Sequence, residues 1–245
     1  MHCDTLSVSL SGCASGQEAD LRRQDTQINF EKMKKSGYLL QNFAAFVDMG
    51  ESENPLEDAL RMTDLFYRQM ESNRDLIVPV RSWEDIERCR AQGKMAALLT
   101  LEEGGICKGD PAFLSILYRL GARMMTLTWN YENELGFPNF DLRKPLENPP
   151  VTDGAREQDP TVPRDSNFKD LSGFGLKERG IFFVEEMERL GMIIDVSHLS
   201  DAGFYDVLNH TRKPFVASHS NARSLWPAKR NLTEHPLDRK STRLN

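Results

Sequence analysis

The sequence lacks any hydrophobic run long enough to cross a membrane, and residues 1 to 20 lack the basic start and apolar stretch of a signal peptide. We therefore expect neither a membrane-spanning segment nor secretion. The four cysteines (Cys3, Cys13, Cys89 and Cys107) show no metal-type spacing, which favours reduced thiols in a cytoplasmic protein. There is no excess of positive charge: the formal net charge is −6, which argues against nucleic acid as a partner.

The bulk composition fits an ordinary globular enzyme. The chain has 245 residues, of which 39% are hydrophobic and 28% are charged. A chain of this length buries a sizeable core, and single α/β barrel domains reach this size. No internal repeat is visible. These values are typical of globular enzymes, and they do not indicate which reaction the protein catalyses. The sequence motifs provide that information.

Apolar strand patterns alternate with helical patterns along the chain. Strand patterns cover 38–47, 77–80, 95–101, 123–129, 192–198 and 214–219, and helical patterns cover 56–73, 82–90, a segment starting at Asp110 and 173–190. Ser82 with Asp85 forms an N-cap signal, and Pro111 suits the first turn of a helix. The alternation predicts an α/β fold with a parallel sheet and outer helices. A (β/α)8 TIM-type barrel is the first interpretation, and a doubly wound open sheet is the second.

Residues 131–172 interrupt this alternation. They are rich in Pro, Asn and Asp, and they are too long for a simple connector. Segments of this kind are usually functional lids or disordered loops.

Two histidines close consecutive strand patterns near the end of the chain. His198 follows an apolar run from Met192, and His219 follows one from Pro214, with a helix-length segment between them. Catalytic groups of parallel barrels gather at the carboxyl ends of strands, where neighbouring imidazoles can hold one metal ion. The alternative is a pair of hydrogen-bonded core histidines. Two such residues on consecutive strands, each preceded by serine, favour the metal site.

Two further motifs supply acidic metal ligands. His2 and Asp4 are two residues apart, so both side chains point the same way in an extended chain, and Cys3 points away. Glu102 ends the apolar run that starts at Met95, and Glu103 falls on the opposite face of that strand. On their own these motifs also fit a frayed terminus and a solvated turn. With the two histidines they make up the donor set of a two-metal hydrolytic site.

Taken together, the motifs resemble the membrane dipeptidase (renal dipeptidase) family of zinc metallopeptidases. The matching stretches occur in order over nearly the whole chain: HCDTL at 2–6, LEEGG at 101–105, LGARMMTLTWN at 120–130, IDVSH at 194–198, ASHS at 217–220 and KRNLT at 229–233. As an ordered set they are highly specific. The resemblance implies a (β/α)8 metal-dependent hydrolase that hydrolyses the peptide bond of dipeptides through a metal-bridging hydroxide.

The resemblance also implies a role for individual residues. His2 and Asp4 would bind the first of two zinc ions, Glu102 would bridge both ions, and His198 with His219 would bind the second. Glu103 is the rival bridging ligand. Arg230 would pair with the C-terminal carboxylate of the substrate. Trp129 stands where the renal form has a histidine, and Asn130 is a neighbouring donor that could contact substrate instead.

The resemblance stops near residue 237. The family continues to a motif like Gly-Ser-Asp-Phe-Asp-Gly, whose first aspartate handles protons, and this chain ends before it. We therefore expect a C-terminally truncated barrel domain over 1–237 with little activity of its own, followed by a non-native tail over 238–245. The expected partners are dipeptide substrates, and the oligomeric state stays open. The alternatives are another binuclear amidohydrolase acting on small amides or lactones, and an inactive fragment or pseudoenzyme.

Overall fold

The computed structural model describes residues 2–14, 20–23, 25–145 and 168–233. The chain forms two compact units, Met1–Met125 and Thr126–Asn245, and each is described by itself. The predicted tail lies outside the described residues, and the single domain over 1–237 stays a prediction. None of the helices in the described ranges is both long and apolar enough to cross a membrane.

The first unit is an α/β assembly around one central strand. Its strands are β1 (His2–Cys3), β2 (Leu40–Phe46), β3 (Ile77–Val80), β4 (Met95–Glu102) and β5 (Met124–Thr126), the last of which reaches the unit boundary. Its helices are α1 (Thr5–Ala14), α2 (Phe30–Lys35), α3 (Pro55–Ser72), α4 (Trp83–Ala91) and α5 (Pro111–Arg119), with a 3₁₀ helix at Gly104–Cys107.

All eight residues of β4 are buried, and β4 pairs in parallel with both β2 and β3. β2 pairs with its whole length, from Leu40 opposite Ala96 to Phe46 opposite Glu102, and β3 pairs with its first half. β1 pairs in parallel with β2, with His2 opposite Asn42. Continuous apolar strands of this kind are typical of parallel sheets covered on both faces. The pairing brings β1 and the carboxyl end of β4 into the same sheet.

Local signals in the sequence predicted where two helices of the first unit, α4 and α5, begin. Ser82 Oγ accepts a hydrogen bond from the backbone N–H of Asp85, and the Asp85 carboxylate accepts one from the backbone N–H of Ser82, so the predicted capping box is confirmed. Asp110 caps α5, and Pro111 occupies its first turn. Helix α1 was not predicted; it places Leu6 in the core and packs against β2 and α3.

The second unit contains α6 (Glu178–Leu190), β8 (Ile193–Asp195), α7 (Asp201–His210) and an antiparallel pair, β6 (Phe140–Pro145) with β7 (Phe168–Asp170). This pair lies inside the segment that the sequence identified as a lid or disordered loop. Residues 146–167 of that segment lie outside the described residues.

The strands predicted over 123–129, 192–198 and 214–219 are too long. β5 ends at Thr126 and β8 at Asp195, while Val216 makes only an isolated parallel bridge to Asp195. The reason is that side chains take over the backbone donors: the N–H groups of Ser197 and Ser218 both bind the Asp195 carboxylate. The strands stop where this polar network begins.

Candidate metal centre

In the first unit, one imidazole lies between two carboxylates. His2 Nε2 lies 2.8 Å from Asp4 Oδ1 and 2.6 Å from Glu102 Oε2. The side chains of His2 and Glu102 are buried, and that of Asp4 is half exposed. The extended backbone at His2 and Cys3 gives the expected common direction of His2 and Asp4. Cys3 points elsewhere, with its thiol 3.4 Å from the carbonyl of Asn42. The sequence therefore predicted this cluster correctly as a spatial group.

The two carboxylates make this position strongly attractive to a cation. Burial lowers the pKa of His2, but hydrogen bonds to Asp4 and Glu102 and their negative charges raise it by more, to about 10. Protonated His2 therefore forms ion pairs with both acids. One imidazole nitrogen with two carboxylate oxygens is also a donor set that zinc accepts. The residues of the first cluster fit a metal ion.

The neighbouring acid, Glu103, has a different environment. Its backbone adopts a φ of 90°, and its buried side chain accepts a hydrogen bond from Gly105 N at 2.7 Å. It thereby caps the 3₁₀ helix that starts at Gly104. The structure joins Glu102 to the His2 cluster and uses Glu103 to shape the following turn. The role of Glu102 as the bridging ligand stays a prediction.

In the second unit, His198 and His219 face each other. Their Nε2 atoms are 2.8 Å apart, and their ring centroids are 4.9 Å apart. His198 adopts a left-handed backbone conformation with a φ of 67°, in the turn that follows β8. The predicted pairing of the two imidazoles is therefore present in the structure.

The partners of the other ring nitrogens favour one placement of the proton on each ring. His198 Nδ1 lies 3.0 Å from Asn130 Oδ1, which can only accept, so His198 Nδ1 is the donor. The Ser218 hydroxyl donates to the Asp195 carboxylate and so accepts from His219 Nδ1 at 2.7 Å. In neutral imidazoles both lone pairs then lie on Nε2. Two lone pairs that converge at 2.8 Å repel each other unless a cation or a proton lies between them.

Asp195 organises this arrangement, and the sequence reasoning missed it. Its fully buried carboxylate accepts hydrogen bonds from Thr126 Oγ1, from the N–H and hydroxyl of Ser197, and from the N–H and hydroxyl of Ser218. The available signal was an acid inside an apolar strand, two residues before Ser197. Partners of this type fix the orientation of metal-binding imidazoles.

The remaining predicted residues also lie in the second unit. The Trp129 ring is 6.2 Å from the His198 ring and makes an edge contact with Tyr131. Asn130, predicted as a donor to substrate, here accepts from His198. Arg230 donates to the carbonyl of His219 at 2.8 Å, and both residues line a cavity of about 440 Å³. The substrate contacts of Asn130 and Arg230 stay predictions.

Comparison with known proteins identifies the family of this chain. A family model described as membrane dipeptidase (peptidase family M19) matches residues 1–144 and 153–242. Dipeptidase tcpJ of Claviceps purpurea is 28% identical over 206 residues, which are 80% of this chain and 42% of that protein. An uncharacterized protein of the pqqA 5′ region in Klebsiella pneumoniae is 33% identical over 153 residues, 62% of this chain and 48% of that protein. The chain thus spans less than half the length of these curated relatives.

The fold is also shared with solved structures. The crystal structure of the dipeptidase AC, a metallopeptidase of family M19, has a TM-score of 0.76 and 26% sequence identity. The match covers 96% of this chain and 66% of that chain. The predicted α/β fold class of the metal-dependent hydrolase type is confirmed by this likeness.

Proposed function

The chain belongs to the membrane dipeptidase family, peptidase family M19, and from this we propose that the protein is a zinc-dependent dipeptidase that hydrolyses the peptide bond of dipeptides. Family membership supports dependence on metal. The identity of the metal as zinc, the number of two ions and the use of free dipeptides are parts of the proposal.

One observation carries the metal part of the proposal. The Nε2 atoms of His198 and His219 converge at 2.8 Å, while the contacts with Asn130 and Ser218 favour Nδ1 as the protonated nitrogen of each ring. Neutral imidazole with an accepting Nε2 is the form that binds zinc, and zinc is commonly bound by histidine. The repulsion between the two lone pairs becomes an attraction when a cation binds both.

We assign the ligands by cluster. His2, Asp4 and Glu102 hold metal in the first unit, and His198 with His219 holds metal in the second. Bound zinc supplies Lewis acidity, which polarises the scissile carbonyl and activates water near neutral pH. The half-exposed Asp4 carboxylate is an acceptor for the free amino group of a dipeptide, whereas the buried Glu102 is committed to the metal.

Arg230 is proposed to bind the C-terminal carboxylate of the substrate. Its guanidinium donates to the carbonyl of His219, so its backbone and side chain lie beside a metal ligand. A planar fork of donors suits a carboxylate, and the cavity of about 440 Å³ gives space for one amino-acid residue. A free C-terminal carboxylate is therefore the feature of the substrate that Arg230 is proposed to recognise.

The test is to purify the chain with zinc, measure bound metal by elemental analysis, and assay a panel of free dipeptides, C-terminally amidated dipeptides, tripeptides and lactones. We expect bound zinc and a low turnover that prefers free dipeptides. His219→Ala, which removes one of the two facing imidazoles, should lose both metal and activity. Hydrolysis of lactones or simple amides with no dipeptide turnover would instead support the broader amidohydrolase activity, and bound metal without turnover would support an inactive member.

A further inference from the structure

Arg230 lies in the segment 221–232, and one arginine of this segment, Arg223, forms hydrogen bonds with other parts of it. The backbone N–H of Arg223 donates to the carbonyl of Leu232 at 2.7 Å. Its side chain donates from Nε to the carbonyl of Asn231 at 2.8 Å and from Nη2 to the carbonyl of Lys229 at 2.6 Å. These two carbonyls belong to the residues on either side of Arg230. The Arg223 guanidinium therefore holds the main chain both before and after Arg230.

The same guanidinium is anchored to a helix. Arg223 Nη1 and Nη2 lie 2.8 Å and 2.7 Å from the two oxygens of Asp201, which is the first residue of α7. Both side chains are partly buried. The helix N-terminus favours the negative charge of Asp201, which keeps the carboxylate in place. Arg223 thus connects the segment that carries Arg230 to helix α7.

Further hydrogen bonds hold the backbone next to Arg230 in place. Asn231 is buried; its side chain accepts from Asn221 N at 2.9 Å and donates to the carbonyl of Trp226 at 2.9 Å. Leu232 N donates to the carbonyl of Asn221, which completes a short parallel bridge. With its backbone fixed on both sides, Arg230 donates to the carbonyl of His219 from a defined position.

We propose that Arg223 is a positioning residue for substrate binding: through Asp201 on one side and the carbonyls of Lys229 and Asn231 on the other, it fixes Arg230 for the substrate carboxylate. The inference rests on the proposed function for its substrate. Lysine cannot replace arginine here. The planar guanidinium donates four hydrogen bonds from its three nitrogens, whereas an ammonium group has a single nitrogen from which to donate.

The experiment compares Arg223→Lys with a matched control, Arg189→Lys, in the full chain with zinc. Arg189 also makes a two-pronged ion pair, with Glu186 on α6, but it is exposed and touches no carbonyl of the Arg230 segment. For each protein we would measure zinc content, kcat and KM for a free dipeptide and for its C-terminal amide, and hydrogen exchange of the backbone amides in 221–232.

For Arg223→Lys we expect unchanged zinc content, faster exchange in 221–232, and kcat/KM for the free dipeptide reduced about 10- to 100-fold through KM, since small misplacements of a binding group have effects of this size. The amide should lose much less. Arg189→Lys should match the wild type in every measurement. Equal losses on both substrates, or unchanged exchange, would overturn the positioning role.

Two further outcomes separate this inference from the proposed function. A wild-type protein with no dipeptide turnover would refute the function, and the exchange measurement alone would then decide whether Arg223 fixes the Arg230 segment. If Arg223→Lys does not fold, Asp201→Asn serves in its place. It removes the anchoring charge and leaves the carbonyl bonds, so a smaller change in the same direction supports the inference and no change contradicts it.

Discussion

His2 Nε2 lies 2.6 Å from Glu102 Oε2, so the second residue of the chain meets the last residue of the central strand β4. The contact follows from the pairing of β1 with β2 and of β2 with β4. It also distinguishes the two adjacent acids at the end of β4, because Glu103 binds Gly105 instead.

Glu102→Gln and Glu103→Gln form a matched pair that tests this distinction. Glu102→Gln should lose zinc and lose more kcat/KM than the ~10- to 100-fold that changes to outer partners cause. Glu103→Gln keeps an oxygen for Gly105 N and should retain its zinc. Elemental analysis of both purified variants measures the difference. Metal loss in Glu103→Gln alone would assign the metal to the other acid.

His198→Ala should remove mainly one of two zinc ions, because it takes away one of the two converging Nε2 atoms. The remaining ion should bind more weakly through its disturbed surroundings. His210→Ala is the control, since His210 lies at the far end of α7 from His198, with its Nδ1 3.5 Å from the Glu185 carboxylate. A metal content in His198→Ala equal to that of the control would remove His198 from the ligand set.

Arg230→Lys tests recognition of the substrate carboxylate directly. Lysine keeps the positive charge but loses the planar fork. We expect kcat/KM to fall far more for free dipeptides than for C-terminally amidated ones, measured in parallel assays. The same loss on both substrates would make Arg230 a structural residue.

Gly180→Ala should lower the free energy of unfolding although alanine favours helices. Gly180 lies in α6, and an added Cβ would meet the backbone oxygen of Leu135 at 1.9 Å and its carbonyl carbon at 2.8 Å. Forced overpacking typically costs about 1–3 kcal/mol, which outweighs the helix gain of about 1 kcal/mol. Gly173→Ala is the control, because its Cβ would meet no described atom within 4 Å. Denaturant unfolding of both variants decides the point.

Glu188→Gln should destabilise the protein near neutral pH but not in acid. The hydrogen bond from Lys213 N, together with that from Arg212 N, holds the pKa of Glu188 below its ordinary value of 4.5. The stabilisation is therefore complete above that pH and is lost as the pH falls through the lowered pKa.

Because Glu188 is largely solvated, the free-energy difference should be at most about 1 kcal/mol at neutral pH. Urea unfolding between acid and neutral pH would show the wild type and Glu188→Gln converging in acid. Glu53→Gln, at an exposed carboxylate of the first unit, is the control for the loss of one surface charge. A constant difference for Glu188→Gln would contradict the role of its charge.

The parts of the fold with local causes were predictable from the sequence. The Ser82–Asp85 capping box and Pro111 in the first turn of α5 depend only on neighbouring residues, and both are present. Helix α1 has no such signal: it is rich in Ser and small residues, its Ser9 hydroxyl bonds the Thr5 carbonyl, and burial of Leu6 supports it. Its stability comes from packing that a local pattern does not contain.

The candidate site divides in the same way. The pairing of His198 with His219 was predicted from two strand patterns, although β8 ends at Asp195 and Val216 makes only an isolated bridge. The closeness of His2 and Asp4 follows from their spacing. The binding of Asn130 to His198 and the use of Asp195 as an acceptor for five donors depend on residues far apart in sequence. Only folding brings these groups together, so no local pattern identifies them.

The left-handed backbone at His198 restricts how this position can change during evolution. With a φ of 67°, the chain there accepts glycine, asparagine, aspartate and histidine far more readily than branched or bulky residues. Asparagine and aspartate can also supply an oxygen to a metal ion, whereas glycine cannot. Most of the residues that this backbone conformation accepts can therefore also bind a metal ion. A substitution at 198 can introduce a different ligand without changing the conformation of the turn.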